Sequence, residues 1–194
     1  MTWVLDLARH RLVEAHSPAI FGVIVYTDVH ANLKKLLRDE DYWRALDELS
    51  GPKWAVFSVR AHHGQWGLPT YPSGTIGMMH MVWKEPVANR DLLETFALDD
   101  TKDLPGVVVF ALDGDALYRA AVRIDDSTLE ATYSSLKSVF VKVAEALNRI
   151  PSVDLDKPAI VFGVVKGSLQ SYRTWKRVGE AYHVLKELRD WLPI

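Results

Sequence analysis

Two apolar runs separated by a helical pattern constrain this chain more than any other feature. Ala19-Ile20-Phe21-Gly22-Val23-Ile24-Val25-Tyr26 carries no charge and stops at Thr27-Asp28, and Trp54-Ala55-Val56-Phe57-Ser58-Val59 is a second run of the same kind. Strands covered on both faces read as unbroken β-branched and aromatic stretches. Between them Leu33, Leu36, Leu37, Tyr42, Trp43, Leu46 and Leu49 fall at helical spacing until Gly51-Pro52 breaks the pattern. The Asp39-Glu40-Asp41 run in the middle is a place for that helix to divide in two. A helical crossover between two buried strands implies parallel pairing, so the expected class is α/β.

The remaining chain supports one domain with extensions. Thr2 to Ala15 reads as a short amphipathic helix ended by Ser17-Pro18. After the second strand, His62 to Gly74 is a loop punctuated by glycine and proline, and Thr75 to Trp83 has room for a short strand. Asn89 is placed to cap a short helix through Asp91, Leu92, Leu93 and Phe96. Val107-Val108-Val109-Phe110-Ala111 and Ala116-Leu117-Tyr118-Arg119-Ala120-Ala121-Val122 flank Asp113-Gly114-Asp115, which predicts a β-hairpin. Asp125-Asp126-Ser127 is expected to cap a helix reaching about Arg149, with an apolar stripe from Leu129 to Leu147. Residues 1–150, with an insertion at 61–86, are therefore read as the domain, and 151–194 as a C-terminal extension ending in an amphipathic helix. Ala159 to Val165 is ambiguous. Its β-branched density, with Gly163 and Gly167, favours a strand. Pro158 opening one long helix is the alternative, because Val161, Val165, Leu169, Tyr172 and Trp175 recur at helical spacing. The chain has no internal repeat or low-complexity tract.

The order of elements resembles the thioredoxin-like fold. The resemblance covers roughly Ile20 to Ile150 and is sharpest at Leu104-Pro105-Gly106-Val107-Val108-Val109-Phe110. In that family a proline, usually cis, precedes the third core strand, and a strand pair and closing helix follow. The family's redox motif falls where the first strand meets its helix, here Thr27-Asp28-Val29-His30-Ala31-Asn32-Leu33, and the whole chain contains no cysteine. Thiol–disulfide exchange needs a thiolate nucleophile, so the resemblance implies a scaffold reused for binding.

Asp28-Val29-His30-Ala31-Asn32-Leu33 also resembles the opening of the calcineurin-like metallophosphoesterases, where an Asp and a His two residues apart begin a two-metal site. A phosphoesterase of that kind needs further oxygen and imidazole ligands, and the later motifs do not follow in order. Asp28, His30, His62, His63 and His80 are nonetheless a candidate set for a divalent metal, since His30 and His62 both lie beyond the carboxyl ends of the strands. The structural reading of the same residues is a strand end and an exposed first helical turn.

The insertion offers a second candidate. Trp66, Tyr71, Met79, Met81 and Trp83 cluster in a Gly/Pro-rich segment, and aromatic and Met side chains on adaptable loops are favoured at binding surfaces. A flap packed on the core would use the same groups. No P-loop, Gly-x-Gly-x-x-Gly or Gly-x-Ser-x-Gly signature occurs.

Composition bounds the remaining options. The formal net charge of −2 does not suggest a nucleic-acid partner, and no apolar run reaches the roughly 20 residues that span a bilayer. Residues 1–11 lack a basic segment followed by an apolar core, so no secretory signal is expected, and a cytoplasmic, cysteine-free protein fits these features. The expected role is a non-redox binding or assembly module with a protein partner or a second copy as homodimer, and with no cofactor. A metal-dependent hydrolase is the alternative, which leaves open whether the chain is an enzyme.

Overall fold

A computed structural model of the chain describes residues 5, 8–10, 20–62, 65–67, 82–84, 89–99, 102–114 and 116–170. The two apolar runs form β1 (Ile20–Tyr26) and β2 (Trp54–Arg60), paired in parallel with Ile20 beside Trp54 and Tyr26 beside Arg60. The connecting segment divides into α1 (Ala31–Arg38) and α2 (Glu40–Ser50). The division has a local cause. Asp39 is extended, and its carboxylate accepts the amides of Asp41 and Tyr42, so the acidic run starts a new helix where the first one ends.

Two short strands follow in the insertion, β3 (Gln65–Gly67) and β4 (Val82–Lys84), antiparallel to each other in a sheet of their own. Next come α3 (Arg90–Phe96), β5 (Gly106–Asp113), β6 (Ala116–Arg123) and α4 (Leu129–Asn148). Gly114 takes a positive φ of 56° in the tight β5–β6 turn, where glycine carries no Cβ penalty. The main sheet has the order β2-β1-β5-β6, mixed because β5 runs antiparallel to β1 and to β6. Pro105 lies immediately before β5, and the Leu104–Pro105 peptide bond is cis.

The central strands β1 and β5 are buried on both faces, whereas β2 and β6, at the edges of the sheet, are mostly half-buried or exposed, so the apolar run of β2 is fully covered only at Trp54. Ile20, Ile24, Val107 and Val109 face a core closed by Leu33 and Leu36 of α1, Leu46 of α2, and Leu136, Val139, Phe140 and Val143 of α4. Phe21, Val23, Val25, Val108 and Phe110 face a second core with Leu92 and Phe96 of α3 and with Leu5 and Ala8, which lie in helical backbone near the N-terminus. Phe110 stacks on Phe21 at 5.5 Å and meets Phe96 at 5.2 Å between ring centroids.

Three local expectations are corrected. Residues 158–170 are helical, not a strand, and this helix is α5. Val161, Phe162, Val165 and Leu169 are buried on one of its faces, while Gly163 and Gly167 are exposed with nothing near a would-be Cβ. Packing of that stripe outweighs the β-propensity of its residues. At α4 the cap is Thr128, whose hydroxyl accepts the Ala131 amide, and not the Asp125-Asp126-Ser127 run. Asn89 precedes α3 but donates no cap, because its side chain is engaged elsewhere.

Candidate functional site

The carboxyl ends of β1 and β2 lie side by side, and residues of four further segments gather there. Because Gly106 pairs with Val25, Pro105 stands beside the end of β1. The first turn of α1 begins at the same end, directly after Thr27-Asp28-Val29-His30. In open sheets with parallel strands this crevice is where ligands bind.

Thr27, Asp28 and His30 are each engaged by neighbours. Thr27 is fully buried, and its backbone N–H donates to His30 Nδ1 at 2.9 Å. The Thr27 hydroxyl lies 3.1 Å from the same nitrogen. Accepting an amide proton fixes Nδ1 as the unprotonated ring nitrogen, so a neutral His30 carries its hydrogen on Nε2. Asp28 Oδ1 accepts from Lys34 Nζ at 2.7 Å and is approached by Arg60 Nη1 at 3.5 Å. The Lys34 hydrogen bond, followed by the charges of Arg60 and Lys34, holds the Asp28 carboxyl below its ordinary pKa. The side chain is 53% exposed, so solvent screens much of this attraction.

His62 follows β2 and is held through its backbone. Asn89 Oδ1 accepts the His62 N–H at 2.9 Å, and Asn89 Nδ2 donates to the His62 carbonyl at 2.5 Å. Asn89 is 3% exposed, so one buried carboxamide grips both polar groups of the residue at the far end of the insertion. Sequence spacing hides this partnership because the two residues are 27 positions apart.

The start of α1 is completed from the other end of the chain. Asp126 Oδ1 accepts the Leu33 N–H at 2.7 Å and the Thr132 hydroxyl at 3.2 Å, while the Asp126 carbonyl accepts Asn32 Nδ2 at 2.8 Å. Helix N-termini leave amides without internal acceptors and favour negative charge, and His30 supplies no side-chain cap. Asp126 does so across the fold.

Among the candidate metal ligands, Asp28, His30 and His62 stand at the strand ends, while His63 and His80 lie outside the described residues. Among the described residues, no group of three or more His, Asp or Glu side chains is gathered in a way that could hold a metal ion. In the insertion, Trp66 of β3 is in register with Trp83 of β4, and Tyr71, Met79 and Met81 lie outside the described residues. No described helix is long and apolar enough to cross a membrane. Comparison with protein-family models, with curated proteins and with solved structures finds no match.

Proposed function

We propose that this chain is a non-redox binding or assembly module on a thioredoxin-like scaffold, with the β3–β4 hairpin as its contact element. The observation that carries this reading is the hairpin itself. Trp66 and Trp83 are cross-strand partners in a two-stranded sheet separate from the main one. Two indole-bearing residues at one register position are the kind of anchor that concentrates binding energy. An isolated two-stranded hairpin is marginal in water, so this one needs something to pack against.

The scaffold assignment draws on the strand order β2-β1-β5-β6, the helical crossover between parallel β1 and β2, and the cis-proline before β5. A cytoplasmic location and a second copy as partner belong to the same proposal. Ile160 and Val164, one turn apart on α5, are 46% and 40% exposed and suit self-association.

The alternative, a metal-dependent hydrolase, draws less support. Asp28 would have to leave Lys34 and Arg60, and His30 already commits Nδ1 to the Thr27 amide. The test is elemental analysis of protein purified without added metal, paired with cross-linking of the native chain and of Trp66→Ala and Trp83→Ala variants. A metal-free protein whose cross-linked partner is lost in the variants supports the module. Stoichiometric zinc, manganese or iron that disappears in His30→Ala overturns it.

A further inference from the structure

β6 is an edge strand. Among the described residues no strand pairs with its outer side. A groove of about 170 Å³ between β6 and α5 is lined by the consecutive residues Arg119, Ala120, Ala121 and Val122, with Lys166 and Leu169 of α5 opposite. Pockets for drug-sized ligands are larger, at roughly 300–1,000 Å³, and this one has room for a side chain or two of an extended peptide. The alternate backbone units of this stretch that face away from β5 present the N–H and C=O groups that a further strand needs.

The charges on this edge are of one sign. Arg119 and Arg123 are exposed along β6, and Lys166 is exposed on α5. Each guanidinium donates to a neutral carbonyl, Arg119 to that of Thr95 and Arg123 to that of Lys102 at 3.0 Å, so neither charge is cancelled there. Among the described residues, none of the three cations forms an ion pair. Pairing β6 with β6 of a second copy would bring like charges together, which costs stability. An acidic strand would meet complementary charge.

We infer that β6 and α5 form a docking groove for an extended acidic peptide segment, which adds to the main sheet as a fifth strand beside β6. The Val122 and Ala120 side chains face α5 on the core side of the sheet, and the peptide's alternate apolar residues enter between the strand and the helix above Leu169. Its acidic residues, on the opposite face of the strand, meet Arg119 and Arg123. The site lies on a different element from the β3–β4 hairpin and stands whether or not the hairpin binds a partner.

The probe is an N-acetylated nonapeptide alternating Val with Glu, titrated into the full-length chain and followed by residue-resolved amide hydrogen exchange. The expected result is slowed exchange of outward-facing β6 amides between Arg119 and Arg123. An Arg119→Glu, Arg123→Glu variant is expected to weaken binding at least tenfold while leaving thermal stability close to the parent. A control peptide of equal charge with proline at alternate positions cannot donate to the ladder and is expected not to protect these amides. Protection by the proline peptide equal to that by the Val/Glu peptide would show charge attraction without strand addition and overturn the inference. So would unprotected β6 amides at millimolar peptide, the result for arginines that only guard the edge. Amides already protected in the peptide-free chain would show the edge occupied and overturn it equally.

Discussion

Asp126 caps α1 across the fold, its carboxylate 2.7 Å from the amide of Leu33, which lies 93 residues before it in sequence. The same residue binds Asn32 through its carbonyl and Thr132 through its carboxylate, so the first turns of α1 and α4 share one anion. This fixes the start of α1 relative to α4 and thereby the position of the strand-end loop from Thr27 to His30.

Asp126→Ala is therefore expected to lower stability by about 1–2 kcal/mol, the cost of losing an N-cap. For a chain of this length each kcal/mol lowers the melting temperature by about 2–4 °C. Asp126→Asn keeps an acceptor and is expected to lose less. Chemical denaturation of the three proteins measures the difference, and an alanine variant equal to the parent would remove the trans-capping role.

Gly22 and Trp54 form a second coupled pair. A Cβ on Gly22 would lie 2.8 Å from Trp54 Nε1 and 2.9 Å from Cζ2, and Trp54 has no room to retreat because its ring meets Phe140 at 4.5 Å between centroids. Gly22→Ala is expected to cost about 1–3 kcal/mol through overpacking. Trp54 Nε1 has no hydrogen-bond partner among the described residues, so Trp54→Phe removes an unsatisfied donor and is expected to cost less than an ordinary large-to-small change. In a double-mutant cycle the pair is expected to be less destabilised than the sum of the singles. Strict additivity would mean that the two side chains do not compete for the same space.

Acid dependence at the strand end has a definite sign. Asp28 has a lowered folded-state pKa, so its ion pair contributes above the unfolded value and is lost as pH falls through the folded one. A carboxyl-detected NMR titration is expected to place the Asp28 midpoint below that of an exposed Asp, and Lys34→Ala to move it upward. Added salt is expected to do the same, because the pair is exposed. A midpoint indifferent to Lys34→Ala would contradict the assigned contact.

Asn89 holds the base of the insertion. Asn89→Asp keeps an acceptor for the His62 amide but loses the donor to the His62 carbonyl, and Asn89→Ala loses both. Limited proteolysis within residues 63–88 is expected to accelerate in the order parent, Asp, Ala. Equal cleavage rates in all three would show that the clamp does not govern the insertion.

Much of the fold was legible because its signals are local. The β1 and β2 runs, the Asp39 break and the Asp113-Gly114 turn each rest on neighbours in sequence. The strand reading of 159–165 failed because Val161 and Val165 are β-formers whose place is decided by a stripe shared with Phe162 and Leu169, with both glycines turned to solvent. At the strand end, Asp28 and His30 were identifiable by position, but their partners Lys34, Arg60 and the Thr27 amide were not, and neither were the long-range roles of Asn89 and Asp126. Such pairings depend on where strands meet, which spacing along the chain does not encode.

The hairpin is the centre of the account, and thermal unfolding of a Trp66→Ala, Trp83→Ala double variant tests it most directly. Indoles kept for a partner are expected to leave the melting temperature within about 3 °C of the parent, a change of roughly 1 kcal/mol or less. Aromatic residues packed into a core cost about 3–5 kcal/mol each when cut back to alanine. A loss of that size would make the hairpin a structural flap and contradict its role as the contact element.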